Sequence, residues 1–549
     1  MFKYNLYRLY LNMLHDNLIL ILVLLLCVTI LVMIGHKLKV SYPIFLVLSG
    51  LIIGFIPGIP HIFVDPDIIF LLFLPPLLYE AAWTTSWKDF WEYKGAIFLM
   101  AVGLVLITSI AVAYASVAFI PGFTLALGFL LGGIVSPPDA IAASSVLKGV
   151  KIPKTINSLL EGESLINDAS SLIVFKFALA AVITGNFVFQ DAAINFVVVA
   201  GLGILIGLGI GCIFYAIHRW LPTNENIDTV LTLLTPYFMY IVAEHFKVSG
   251  VMAVVSGGLF LCSQSHVILT PNSRVKVSAV WSATTFMMNG VVFILIGLAL
   301  PDIVAGLGSE YPLKTAIGYG IGISLLTLVV RFVWLFTTSR FTRLVNKQSR
   351  IRYQGMTWHS SVVIVWAGMR GVVSLAAALS IPLLLTDQTA FPLRNLILFI
   401  TFVVILVTLV VQGLSLPLII RLLKIPENTY KLSEQEQSSQ IRLRLIDRSL
   451  ERMQQNYQSQ CIHNELVVSF KAELERSLVD KKNAMQAFRE GKVDLEELKV
   501  YKEMMVDLIH IQRHELHLLK KDKNYDDDIL REEEKRLDLE ELSSNGKLF

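Results

Sequence analysis

The sequence predicts an all-α polytopic membrane protein of about 13 transmembrane helices followed by a helical tail, and three observations predict it. Of 549 residues, 55% are hydrophobic and only 16% charged, with a mean hydropathy of +0.64, whereas soluble globular proteins carry about 25% charged residues. Apolar runs long enough to span a bilayer, about 20 residues each, recur along most of the chain. From Glu427 onward the composition turns abruptly charged and polar. The expected organisation is an N-terminal segment 1–16, a transmembrane domain 17–425 and a helical tail 426–549.

The thirteen runs fall near 17–35, 41–59, 66–83, 95–119, 123–147, 156–184, 192–218, 228–246, 249–265, 281–300, 312–339, 358–385 and 392–423. The first is expected to be a spanning helix and not a cleaved signal, because residues Met1–Asp16 are polar and aromatic and no small-residue cleavage site follows Leu18–Ile34. Trp83, Trp87, Trp91 and Lys94 read as an interfacial belt. One set of loops holds Lys37 and Lys39, Lys88 and Lys94, Lys148, Lys151 and Lys154, Arg219, Arg274 and Lys276. It continues with Arg340, Arg343, Lys347, Arg350 and Arg352, and ends with Arg421 and Lys424. The alternate loops hold only Lys247, Lys314 and Arg394. Positive charge stays on the cytoplasmic side, so the tail is expected inside and the N-terminus outside, with Lys3 and Arg8 running against the trend.

The fifth run contains Gly132-Gly133-Ile134-Val135-Ser136-Pro137-Pro138-Asp139. Pro137 and Pro138 remove two backbone donors and break the helix, leaving the carbonyls of Gly133 and Ile134 without helical partners. In lipid such groups are tolerated only beside protein or a watery cavity, and a cation can satisfy them. Asp139 adds a carboxylate at the break and Ser136 a hydroxyl.

The sixth run carries Gly162-Glu163-Ser164-Leu165-Ile166-Asn167-Asp168. An acid in mid-bilayer is costly enough to be a functional-site hypothesis by default. Glu163 and Asn167 are i,i+4 neighbours and Asp168 lies one position round, so all three can face one interior surface.

The twelfth run holds Ala367-Gly368-Met369-Arg370-Gly371, a second expected break, at Gly368 and Gly371. Arg370 cannot shed its proton and must pair; Glu163 is its expected partner. If spans 1–6 repeat inverted as spans 8–13, the two broken helices are symmetry mates crossing at the centre. Arg331 also needs a partner, while Lys176 is expected to snorkel to the surface and Glu80 and Glu244, near helix ends, to be structural.

The tail shows helical periodicity over Leu443–Tyr457, with Leu443, Ile446, Leu450, Met453 and Tyr457 on one face, and over Tyr501–Lys520. His510, His514 and His517 fall at i, i+4 and i+7, a spacing compatible with a metal or pH-sensitive face but commoner among plain surface histidines. The four cysteines show no metal spacing or disulfide framework. A membrane hydrolase is disfavoured, since His218, His245 and His359 lie near span ends and neither Gly-x-Ser-x-Gly nor His-Glu-x-x-His occurs. A channel would not need a titratable carboxylate at its centre, and a tail-driven sensor or scaffold would not need the intramembrane acids.

These residues resemble the first monovalent cation:proton antiporter family, which includes bacterial NhaP-like and animal sodium/proton exchangers. Gly162–Asp168 and its continuation through Lys176 resemble the signature helix ending in Asn-Asp; Phe73-Leu74-Pro75-Pro76-Leu77-Leu78-Tyr79-Glu80 resembles the proline-paired third helix; and Gly368-Met369-Arg370-Gly371 resembles Gly-x-Arg-Gly. The resemblance covers about 17–423. It implies that Asp168 binds cation and proton alternately with Asn167 and Asp139 beside it, so that Asp168 and Asp139 hold Na⁺ transiently. Glu163 and Arg370 would then form a buried structural pair. It also implies a homodimer in the lipid of the cell's inner (plasma) membrane, with no cofactor beyond the transported Na⁺ and H⁺ and no nucleic acid. Where the family commonly has threonine before the aspartate of the broken helix, this chain has Pro138, and Ser136 is the nearby hydroxyl that can compensate. Because Asn167 does not ionise, the expected stoichiometry is one cation (Na⁺, with Li⁺ or K⁺ as alternatives) for one proton.

Overall fold

A computed structural model describes residues 2–57, 66–147, 152–185, 189–307, 311–345, 358–385, 388–423, 434–489, 495–519 and 527–546. Among these, regular structure is helical apart from an isolated bridge between Leu384 and Ala390. The chain divides into two units, 1–429 and 430–549. The expected boundary at 425/426, the composition change at Glu427, and the basic residues Lys148, Lys151, Lys347, Arg350, Arg352 and Lys424 lie outside the described residues.

In the first unit α1 runs Phe2–Leu38. The separate segment expected over 1–16 is therefore the beginning of the same helix, since no glycine or proline interrupts the chain before Gly35. Next come α2 (Tyr42–Gly54) and α3 (Pro66–Thr84). Helix α4 (Trp87–Phe98) continues through a π-helical turn at Leu99–Leu104 into α5 (Val105–Phe119). At the start of α4, Trp87 and Trp91 stack edge to face and Lys94 sits 4.5 Å over the Trp91 ring, a half-exposed aromatic and cationic group of the kind an interface selects.

The fifth expected span is two half-helices, α6 (Leu125–Val135) and α7 (Ala140–Leu147). Long helices follow: α8 (Lys154–Thr184), α9 (Phe189–Trp220), α10 (Glu225–His245), α11 (Gly250–Ile268), α12 (Pro271–Leu298), the short α13 (Leu300–Gly306) and α14 (Leu313–Val345). The twelfth expected span is again split, into α15 (Trp358–Trp366) and α16 (Val372–Leu379). Helix α17 (Arg394–Val407) passes through a second π-helical turn, Thr408–Gln412, into α18 (Gly413–Leu423). Polar side chains fix several starts: Thr124, Asn224, Ser249 and Thr270 each accept a backbone N–H of the first turn.

Among the described residues nine helical segments are long and apolar enough to cross a membrane. The other four of the thirteen expected runs are the shorter α2 and α3 and the two split pairs. Packing sorts the unit into two bundles. One joins α1–α3 with α9–α12; the other joins α4–α8 with α14–α18. Small residues set the close approaches: a Cβ on Gly128 or Gly132 of α6 would come within 2.7 Å of the α5 backbone at Ala113 or Ser109.

The second unit contains α19 (Glu434–Asn456), α20 (Gln460–His463), α21 (Glu465–Arg489), α22 (Leu495–Leu519) and α23 (Asp527–Gly546). Helix α19 packs on α21, with Leu443, Ile446, Leu450 and Met453 half-buried and Tyr457 exposed. Arg513 ties α22 to α23 through Asp538 and Glu541. His510, His514 and His517 are exposed, and no cluster of three metal-capable side chains occurs among the described residues.

Candidate functional site

The two interruptions meet and bond to each other. Pro137 and Pro138 end α6, and the Ser136 hydroxyl donates to the Gly133 carbonyl at 3.3 Å. Ser136 is 1% exposed and serves its own turn, and it is not among the residues that line the cavity described below. The Asp139 N–H donates to the Met369 carbonyl at 2.6 Å, and Arg370 Nε donates back to the Val135 carbonyl at 3.0 Å. The amide that this crossing uses is that of Asp139, and Pro138 contributes its carbonyl, which accepts the Asn167 amide at 2.8 Å. A proline before the aspartate therefore removes neither of these two bonds.

Charges sit at three of the four half-helix ends. Arg370 holds the Val135 carbonyl at the end of α6 and, through Nη1 at 2.7 Å, the Gly368 carbonyl just past α15, two negative helix ends. Asp139 Oδ1 accepts the Ile141 N–H at 2.8 Å at the positive start of α7. A Cβ on Gly371 would overlap Asp139 Oδ2, so the close approach of the two breaks requires glycine there.

The expected Glu163–Arg370 pair is not formed. Glu163 is gripped instead by Arg331 of α14, Nη1 to Oε1 at 2.5 Å and Nη2 to Oε2 at 2.8 Å, while Arg331 also donates to the Ile364 carbonyl of α15. Two buried arginines compete for one carboxylate, and Arg370, 2% exposed, is already committed to helix-terminal carbonyls. Arg331 thereby gains the partner that its sequence context required. Gly368 makes room for it, since a Cβ there would come within 2.6 Å of Arg331 Nε.

Asn167 and Asp168 point to different tasks. Asn167 is fully buried and braces the break through Pro138. Asp168 is half-buried and opens, with Asp139, into a cavity of about 660 Å³. The cavity lies along the seam of the two bundles: α3 and α12 form one wall, and α7, α8, α16 and the Pro137–Asp139 break form the other. It extends towards Thr85, Ser145, Glu161 and Ala279, the helix ends joined by the basic loops. Glu80 and Ser164 also line it, so Glu80 belongs to the cavity and not only to the end of its helix. Ser164, given no role in the sequence reading, sits one turn before Asp168, and that i,i+4 spacing is the signal that identifies it.

On the opposite side of Asp168, two turns on, Lys176 bonds both carboxylate oxygens of Glu244, at 2.7 and 2.8 Å. This pair joins α8 of one bundle to α10 of the other.

A family model described as the transmembrane sodium/hydrogen exchanger matches residues 21–422. The sodium, potassium, lithium and rubidium/H(+) antiporter of Bacillus pumilus is 34% identical over 390 residues, 69% of this chain; the chain spans 58% of the length of that relative, and 58% of its Bacillus subtilis counterpart. The low-affinity Na(+)/H(+) antiporter NhaS1 of Synechocystis is 30% identical over 495 residues, 88% of this chain and 90% of the relative. The fold is that of the sodium proton antiporter MjNhaP1 of Methanocaldococcus jannaschii, with a TM-score of 0.60 at 19% identity, over 75% of this chain and 99% of the other.

Proposed function

The chain belongs to the sodium/hydrogen exchanger family, and on that premise we propose that it is a secondary antiporter, exchanging monovalent cations, Na⁺ foremost, for protons across a membrane. The observation that carries this reading is the placement of Asp168 and Asp139 in one cavity at the seam of two helix bundles. Removing a carboxyl from water favours its protonated form, whereas a bound cation favours the carboxylate, so one site holds either the metal ion or the proton. When only loaded forms switch sides, the two gradients are coupled. Switching is a rocking of one bundle against the other, which moves the seam but leaves the aspartates fixed within their own bundle.

The roles divide accordingly. Asp168 and Asp139 receive the cargo; Asn167 and Arg370 hold the crossing that presents Asp139; Glu163 with Arg331 keeps α8, α14 and α15 in register. Since Asn167 does not titrate, exchange is one cation for one proton and carries no net current. The cavity faces the basic loops, which by the positive-inside rule are cytoplasmic; the tail then lies inside, in a protein of the plasma membrane. The apolar outer surface of α9, with Val197, Leu205 and Ile213 exposed, suits contact with lipid, and assembly as a homodimer is what the family implies. Exchange that accepts K⁺ and Li⁺ as well as Na⁺ is a second reading, favoured by the printed specificity of the Bacillus relatives.

Proteoliposomes loaded with a quenched pH dye test the proposal. Adding Na⁺, Li⁺ or K⁺ is expected to release the quench for the native chain, and Asp168→Asn is expected to abolish the response. Persistent exchange in that variant would remove Asp168 from the carrier role.

A further inference from the structure

The wall that faces the aspartates carries a polar stripe. Ser282, Thr285 and Asn289 fall at i, i+3 and i+7 on α12, one face of the helix, and all three line the cavity. Asn289 lies deepest of the three along the helix and is 3% exposed, yet its Oδ1 accepts no hydrogen bond among the described residues. The Thr285 hydroxyl is equally unpaired. Across the cavity Ser374 of α16, 2% exposed, presents a second unpaired hydroxyl. Phe286 and Phe293, three residues before and four after Asn289, both pack on the Tyr42 ring, at 6.1 and 6.2 Å between centroids. Tyr42 shares the cavity with Asp139, so this packing sets Asn289 at the depth of the site.

Buried amides in native proteins are nearly always hydrogen-bonded. An amide oxygen left without a protein partner on a cavity wall, on a helix whose Phe286 and Phe293 pack on Tyr42, is placed for something that enters the cavity. Asp168 and Asp139 lie on one wall only, with Glu80 of α3 as an acid of the facing wall, and an alkali cation shedding water needs oxygens on more than one side. Neutral amide and hydroxyl oxygens can supply them, directly or through a retained water, without adding a titrating group.

We propose that Asn289, with Thr285, is the half of the cation site contributed by the opposite bundle, and that it sets the affinity and size preference for the cation without changing the proton count. The inference rests on the antiport reading above. Asn289 belongs to the bundle that lacks the aspartates, so it contacts the ion in one access state and parts from it when the bundles rock.

The experiment measures cation-dependent proton flux in proteoliposomes for Na⁺, Li⁺ and K⁺, comparing the full-length native chain with Asn289→Leu, Asn289→Asp, Thr285→Val and Asp168→Asn. Loss of one coordinating or water-bridging bond predicts that Asn289→Leu raises the half-saturating Na⁺ concentration about fivefold or more, with unequal factors for the three ions. Its maximal rate and pH profile should stay near native. Asn289→Asp is expected to lower the half-saturating concentration and displace the pH profile, an opposite pair of effects that a packing role does not produce. Native half-saturation for all three ions in Asn289→Leu overturns the proposal. Should that variant not fold, unchanged values in both Asn289→Asp and Thr285→Val overturn it instead. Absence of flux in the native chain counts against the antiport reading itself, flux persisting in Asp168→Asn counts against the carrier role of Asp168, and each is distinguishable from the outcomes at Asn289.

Discussion

Arg331 and Glu163 form a two-pronged ion pair with both side chains only 1% exposed, linking α8 to α14 through the interior of one bundle. Removing one partner of a buried pair strands the other charge, at about 3–5 kcal/mol. Glu163→Gln and Arg331→Met are each expected to lower the unfolding temperature in detergent sharply. The double variant Glu163→Leu with Arg331→Met should be less destabilised than either single change. Additive losses would show that the two residues act independently.

Arg370 should behave differently, because its role is to hold carbonyls. Arg370→Met removes the charge from the ends of α6 and α15 and is expected to cost about 1.5–3 kcal/mol, the range for hydrogen bonds to a charged group. Arg370→Lys keeps the charge but lacks the planar fork that reaches Val135 and Gly368 together. Its stability should fall between the native and the methionine forms, as read by thermal scanning in detergent.

The two glycines beside Arg370 separate transport from stability. Gly371→Ala drives a methyl group into the Asp139 carboxylate and is expected to depress exchange by at least about tenfold, the scale of a small misplacement of reacting groups, while the protein remains folded. Gly368→Ala presses on Arg331 and should chiefly lower thermal stability, overpacking costing about 1–3 kcal/mol. Flux and melting curves on the same preparations give the comparison.

Lys176 and Glu244 tie the two bundles together on the side away from the cavity. Both ends of the pair are partly exposed, so it is worth about 0.2–1 kcal/mol. Neutralising Glu244 to glutamine is expected to alter the maximal exchange rate by no more than about fivefold, and raised ionic strength should mimic the change in the native chain. A variant indistinguishable from native at low salt would mean that the pair does not restrain the switching motion.

Much of this architecture was legible in the residues. Consecutive prolines at 137 and 138 and glycines at 368 and 371 located both breaks, because missing donors and missing side chains act locally. The intramembrane acids located the cavity. The partner of Glu163 was not legible: helical spacing shows which residues share a face, but not which of two arginines, 168 and 207 positions further on, reaches it. The choice is made by carbonyls that exist as acceptors only after both helices have broken. The turn of the Ser136 hydroxyl to its own backbone was not legible for a related reason, since the Gly133 carbonyl is free to accept it only once the helix has broken. The Ser282, Thr285 and Asn289 stripe was visible as helical spacing within an apolar run, yet without the facing aspartates it carried no meaning. The tail helices followed their periodicity, and His510, His514 and His517 are exposed.

The bond from Arg370 to the Val135 carbonyl spans 235 positions of sequence. During synthesis the ribosome delivers α6 and α7 to the bilayer long before Met369 and Arg370 emerge. Until then the Val135 carbonyl lacks its arginine, while Asp139 already caps the start of α7 from within the same segment. The centre of the molecule is thus completed among the last steps of biogenesis, after both bundles have begun to form around it.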